Sequence, residues 1–214
     1  MRTPSIGIAP EGYHIIGITA VATLASALVG CGILTLVCFA AFAFSCNFFR
    51  DPERVIPQDE GLVVSPADGR VISIKPAPDP ISGEARTCIS IFMHVGNVHV
   101  NRAPVAGEVE KILYIPGKFF NASWDKASTD NERCAYAIKD EAGRVFTVVQ
   151  IAGLIARRIV CRVEQGDRLA RGERFGLIKF GSRLDVYLPE GYEASLLLSE
   201  TVLAGSSVIA RKTA

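Results

Sequence analysis

The sequence predicts a mostly β, barrel- or sandwich-like domain preceded by an N-terminal transmembrane helical hairpin. Three observations carry this expectation. From Gly12 through Phe49 there is no Asp, Glu, Lys or Arg. Beyond Gly61 the chain is a series of short β-type runs punctuated by Gly and Pro. After residue 50 no amphipathic stretch of convincing helical length stands out, and many short strands with turn signals between them favour closed or stacked antiparallel sheets. With 214 residues there is room for one domain and an appendage.

The apolar run comes first. Spanning a hydrocarbon core of about 30 Å takes roughly 20 helical residues, so the run is long for one helix and slightly short for two. Gly30-Cys31-Gly32 makes a natural break near its middle. Two short helices are expected, near 15–29 and 33–49, within an anchor at 1–50; a single long tilted helix is the alternative. A cleaved signal peptide fits poorly, because its apolar region would run only about 7–15 residues behind a basic start. Arg2, Arg50 and Arg54 flank the run and favour a cytoplasmic side. The expectation is an inner-membrane protein whose main domain faces the cytoplasm.

Residues 51–62, with two prolines and several charges, read as a linker. The domain then occupies 63–214. Its expected strands are 63–64, 70–75, 88–95, 109–115, 135–139, 145–151, 159–163, 175–179, 183–187 and 193–198, with a short helical turn within 123–131. Two further apolar runs flank Gly205-Ser206-Ser207. Net charge is +1, so no overall field argues for nucleic acid. The six cysteines form neither a C-x-x-C pair nor a Cys/His cluster at zinc spacing, which points to reduced, buried thiols and no metal.

Three constellations carry chemistry. Gly205-Ser206 reads in two ways. It is a tight bend between buried strands, or it is a bond the protein cuts for itself. In the second reading the Ser206 hydroxyl attacks the Gly205 carbonyl and elimination then leaves residue 206 as a pyruvoyl group. Such a ketone takes up electrons when carbon dioxide leaves a bound amine. Ser65-Pro66-Ala67-Asp68-Gly69 offers a carboxylate in a turn. His99 lies in a polar cluster with Asn97, Asn101 and Arg102, which is costly to assemble for packing alone. Asp68, His99 and Ser206 thus supply an acid, an imidazole and a hydroxyl, with the carboxylate expected to orient the imidazole. These residues equally allow a membrane-tethered Ser-His-Asp lipid hydrolase, and the anchor alone allows a non-enzymatic binding protein.

The chain resembles the phosphatidylserine decarboxylases of the short, prokaryotic type over nearly its whole length. The residues that carry the resemblance are Phe48-Phe49-Arg50-Asp51-Pro52-Glu53-Arg54, the Ser65–Gly69 turn, Asn97-Val98-His99-Val100-Asn101-Arg102-Ala103-Pro104, Asp130-Asn131-Glu132-Arg133, Gln150-Ile151-Ala152-Gly153, and the Ala-Gly-Ser-Ser step at 204–207. The resemblance implies a pyruvoyl-dependent carboxy-lyase of phospholipid biosynthesis, made as a zymogen. It would cut itself between Gly205 and Ser206 and convert phosphatidylserine to phosphatidylethanolamine. Asp68, His99 and Ser206 would act in self-cleavage, and the large and small pieces would stay together as a heterodimer, with a homo-oligomer also allowed. The implied partners are phosphatidylserine and a lipid bilayer, with no nucleic acid and no metal. Arg102, Arg157 and Arg183 are candidates for binding the headgroup. Longer members place a histidine at the position of Arg102 and an aspartate near Asn97. Phe119, Phe120 and Trp124 are expected near a lipid entrance.

Overall fold

The computed structural model describes residues 7–154, 158–179 and 181–213. The chain forms two compact units, Met1–Glu53 and Arg54–Ala214.

In the first unit a 3-10 turn at Pro10–Gly12 leads into α1 (Tyr13–Leu28), and α2 (Gly32–Phe48) follows. Gly30 adopts φ +78°, which lets the chain reverse between the helices. An isolated bridge between Ile8 and Arg50 closes the open end of the hairpin. The hydroxyls of Thr19 and Thr23 donate to carbonyls one turn back, so these polar groups are satisfied within an apolar helix. The hairpin is present, with its break where the glycines lie. Its expected crossing of a membrane is not supported. The 16 and 17 residues of α1 and α2 reach about 24–26 Å at 1.5 Å per residue. Among the described residues no helix is long and apolar enough to cross a membrane.

The second unit is mostly β. In chain order its strands are β1 (Leu62–Val64), β2 (Gly69–Pro78), β3 (Ala85–Met93), β4 (Val100–Arg102), β5 (Gly107–Ile115), β6 (Arg133–Lys139) and β7 (Val145–Ala152). They continue with β8 (Ile159–Cys161), β9 (Arg168–Leu169), β10 (Arg174–Ile178), β11 (Ser182–Tyr187), β12 (Tyr192–Ala194), β13 (Thr201–Val202) and β14 (Val208–Lys212). The one helix described here, α3 (Ala127–Asp130), lies inside the stretch expected to turn. An eight-stranded sheet runs β13-β2-β3-β11-β7-β6-β5-β9, and two three-stranded sheets run β1-β14-β12 and β4-β10-β8. All the strand pairings are antiparallel.

One core joins the three sheets. Ile89, Ile91 and Met93 of β3, Leu184 and Val186 of β11, and Phe146 and Val148 of β7 point inward, where they meet Val63, Phe175, Ile178 and Ile209 from the small sheets. Alternate residues of the same strands face the other way. There Cys88, Ala135, Val149, Ile151 and Tyr187 form a second cluster with Ala127 of α3. Both faces of the central strands are therefore buried, which is why several of them read as unbroken apolar runs.

Two expectations change here. Residues 54–62 are no loose linker. Ile56 lies against Gly172 and Gly205, and the Pro57 and Asp59 carbonyls accept from Arg171. The thiols are all free but not all buried: Cys88 and Cys134 are inside, whereas Cys31 and Cys161 are exposed. Burial pushes the Cys88 thiol up to about 12.

Candidate active site

The 65–69 turn and the 203–207 turn are clamped together backbone to backbone. Gly205 N–H donates to the Ser65 carbonyl at 2.7 Å, and Ser65 N–H donates to the Ser207 carbonyl at 2.8 Å. Asp68 adds a side-chain contact, its Oδ1 accepting from Ala204 N–H at 2.7 Å. The peptide bond between Gly205 and Ser206 is thus held from both sides by one short segment.

The turn itself requires glycine. Gly205 has φ +76°, and a Cβ there would meet Ile56 Cδ1 at 2.9 Å and Arg102 Cδ at 3.0 Å. The two serines that follow differ. Ser207 Oγ accepts from Leu203 N–H at 2.9 Å and so closes the turn. Among the described residues the Ser206 hydroxyl makes no such bond, and Ser206 is half-buried.

Asp68 is buried, and its carboxylate is shared between two partners. Oδ2 pairs with Arg54 Nη2 at 2.8 Å, while Oδ1 holds Ala204. His99 is fully buried just ahead of β4, with Nδ1 2.9 Å from the Asn97 carbonyl. That oxygen can only accept, so Nδ1 carries the proton. Nε2 then accepts from Gly181 N–H at 3.4 Å. The expected orientation of His99 by Asp68 is therefore corrected: a backbone carbonyl sets the imidazole, and the carboxylate sets the 203–207 turn. A Ser-His-Asp hydrolase needs its carboxylate on Nδ1. That arrangement is not formed.

The three candidate arginines part ways. Arg102 is buried, donates Nη1 to the Gly172 carbonyl at 3.0 Å, and lays its stem against Gly205. Arg183 is built into the far face of the large sheet. Its Nε and Nη2 bind Asp185 at 2.6 and 2.9 Å, Nη2 also reaches Ser90, and Nη1 reaches the Trp124 carbonyl. Burial works against the Arg183 charge, but Asp185 beside it more than offsets this and holds its pKa above the usual value. Arg183 is thus committed to an internal ion pair with Asp185. Arg157 lies outside the described residues. Asn101, expected beside His99, instead accepts from Gln150 Nε2 at 2.7 Å, and Gln150 in turn accepts from Tyr136 at 2.6 Å. Among the described residues no group of three His, Cys, Asp or Glu could hold a metal ion.

Sequence reasoning missed Arg54 and the backbone of Ser65. Arg54 reads in the sequence as a membrane-flanking charge; its place fourteen residues before a buried Asp gives no local signal. Ser65 lies in the same turn as Asp68, but a backbone role leaves no mark on residue type.

The sequence model of the phosphatidylserine decarboxylase family matches residues 41–210. The chain belongs to the phosphatidylserine decarboxylase family. It is 60% identical over 213 residues to the phosphatidylserine decarboxylase proenzyme of Nitratidesulfovibrio vulgaris, covering 100% of this chain and 98% of that one. Against the proenzyme of Oleidesulfovibrio alaskensis the figure is 59%, covering 99% and 97%. Against that of Ruegeria pomeroyi it is 54%, covering 94% and 93%. For a phosphatidylserine decarboxylase, a clamped Gly205-Ser206 bond within a buried polar setting is the natural place to look for proenzyme cleavage.

Proposed function

We infer that this chain is a self-processing phosphatidylserine decarboxylase, a carboxy-lyase that forms phosphatidylethanolamine and carbon dioxide. The observation that carries this reading is the clamp, with Ala204 and Gly205 amides fixed on Asp68 and Ser65 while the Ser206 hydroxyl is left outside the turn's own hydrogen bonds. Holding the chain on both sides of a bond aligns a neighbouring nucleophile at little further entropic cost.

In maturation, Ser206 Oγ attacks the Gly205 carbonyl carbon and the C–N bond gives way to an ester. His99 Nε2, unprotonated in the tautomer that Asn97 imposes, exchanges its long 3.4 Å bond from Gly181 N–H for the Ser206 hydroxyl and takes the hydroxyl proton. Elimination leaves the Gly205 carboxylate and dehydroalanine at 206, and water converts the latter to pyruvoyl with loss of ammonia. The site suits such a group. A Cβ at 205 would collide with Ile56 and Arg102, so the upstream side is filled, whereas residue 206 stays half-open. Once formed, the pyruvoyl ketone supplies the electron sink for decarboxylation. His99, protonated, returns a proton to the carbon that has lost carbon dioxide. Arg102, next to Gly205, offers a cation to the substrate's carboxylate or phosphate. Asp68 serves by positioning the turn.

The pieces 1–205 and 206–214 remain together as a heterodimer through β14. The helical hairpin seats in the cytoplasmic face of the inner membrane. Its turn end is the most apolar part: Leu28, Val29 and Ile33 are each more than 80% exposed, so it dips into the hydrocarbon and returns without crossing.

Intact mass of purified Ser206→Ala and Ser207→Ala proteins tests the assignment. Ser206→Ala is expected to stay one uncut chain without activity, and Ser207→Ala to yield both pieces. A cut Ser206→Ala protein would refute the reading.

A further inference from the structure

The catalytic unit carries an apolar tip that the reaction chemistry leaves unexplained. Between β12 and β13 the chain runs Ser195-Leu196-Leu197-Leu198-Ser199-Glu200. Leu196 is buried in the core, but Leu197 is 72% and Leu198 60% exposed. Single exposed leucines are ordinary; two adjacent ones on a fixed turn are not.

The turn is fixed. Ser199 has φ +72°, the only positive φ of a non-glycine residue among those described, and side chains are disfavoured there. Its N–H donates to the Val71 carbonyl, and its own carbonyl accepts from Arg70 Nε at 3.0 Å. Glu200 N–H reaches back to Leu197, Val71 N–H donates to Glu200, and Ser195 N–H is held by Ile209. Five hydrogen bonds thus present the two leucines to solvent in a strained conformation.

The tip also stands beside the cleavage turn. β13 is the edge strand of the large sheet, and it runs from this tip straight into Leu203 and Ala204. Ser199 is bonded to Val71 of β2, and Ala204 to Asp68 just ahead of β2. Three residues of extended chain separate those two anchors, about 10 Å. Leu203, at the turn itself, is also exposed. Arg70, exposed beside Ser199, gives this edge a cation suited to anionic headgroups.

We propose that Leu197 and Leu198, backed by Arg70, form a second membrane contact that docks the cleavage-turn edge of the catalytic unit onto a bilayer containing anionic phospholipid. The two leucines enter the boundary between headgroups and acyl chains, and the adjoining site receives a headgroup without the lipid leaving the membrane. This rests on the lipid-decarboxylase reading, and it adds a contact separate from the helical hairpin.

The test uses the full chain carrying Leu197→Ser with Leu198→Ser. Carbon dioxide release is measured from vesicles of mixed phosphatidylserine and phosphatidylcholine, and from dihexanoyl phosphatidylserine dissolved as monomers. The extent of self-cleavage is read by mass in the same samples. The double variant is expected to cut itself fully, to match the wild type on the soluble lipid, and to lose about tenfold in kcat/KM on vesicles. Equal loss on both substrates, or no loss on vesicles, overturns the proposal. So does a change of oligomeric state in sedimentation, which would mean the leucines cover a second copy. Wild type that releases nothing from either lipid overturns the function and the docking with it. Should the double variant fail to fold, Leu197→Trp provides the second readout: its added emission shifts to the blue when vesicles are supplied, and an unshifted emission refutes docking.

Discussion

At the scale of single residues, the site is organised by who holds whom. Asp68 touches both the 203–207 turn and Arg54, with the ion pair largely removed from solvent. Removing one partner of such a pair leaves the other charge uncompensated, at a cost of about 3–5 kcal/mol. Arg54→Gln should therefore loosen Asp68 from Ala204 and slow self-cleavage. If only a third of that cost reaches the transition state, the rate falls about tenfold. Arg54→Lys, which keeps the charge, should recover part of it. Time courses of uncut against cut chain decide the point; unchanged rates in Arg54→Gln would remove Arg54 from the positioning role. None of this was legible in the sequence. Residue types pointed to Asp68, His99 and Ser206 as a group worth testing, but types do not name partners. A carboxylate beside an imidazole in a list of motifs suggested a triad, whereas the fold gives the imidazole to the Asn97 carbonyl and the carboxylate to a backbone amide. Arg54 was misjudged because its prolines and charges look like a linker until Asp68 closes over it.

Among the elements, β14 bears an unusual demand. Under the proposed cut between Gly205 and Ser206 it would belong to a piece of nine residues, yet it is the middle strand of its sheet. Val63 and Val64 of β1 pair with Ala210 and Val208, and Tyr192 and Ala194 of β12 pair with Lys212 and Ala210. Ile209 adds a fully buried side chain to the core. Pairing on both edges plus that one anchor holds the fragment. Ile209→Ala removes about 2–5 kcal/mol of burial, a loss that becomes a loss of affinity once the peptide bond is cut. The variant should process normally but shed its small fragment on gel filtration, with activity falling in step; co-elution like that of the wild type would place the holding force elsewhere. Strands of this kind were readable where alternation or an apolar run lasted five residues or more, as in β3, β7 and β11. β4, β9 and β13 have two or three residues each, too few to show any period. The expected strand at 193–198 ends early, at Ala194, because Ser199 turns the chain and sends Leu197 and Leu198 outward.

For the whole molecule, the division into two units separates an apolar helical hairpin from the unit that holds the candidate site. The second unit has its own core, drawn from all three sheets, and the clamp about Gly205 and Ser206 is made entirely within it. The first unit is a hairpin of two helices that present Ile18, Val21, Leu24, Leu36 and Val37 to solvent as well as an apolar turn end. So much exposed aliphatic surface has no stabilising role in water, but it gains about 25 cal/mol for each Å² that a bilayer covers. Placing charge at the turn end that is proposed to dip deepest should cancel that gain at little cost to the fold, since Leu28 and Ile33 are about four-fifths exposed already. The full chain with Leu28→Lys and Ile33→Lys is therefore expected to float poorly with phosphatidylserine vesicles while remaining completely cut at Gly205. It should decarboxylate dihexanoyl phosphatidylserine at the wild-type rate. Vesicle activity should fall without vanishing, because the Leu197–Leu198 tip still offers a weaker hold. Flotation and the cut fraction, measured on one preparation, separate the possibilities: undiminished flotation removes the hairpin turn from the membrane, and loss of self-cleavage ties the hairpin to the chemistry that the second unit is expected to perform alone.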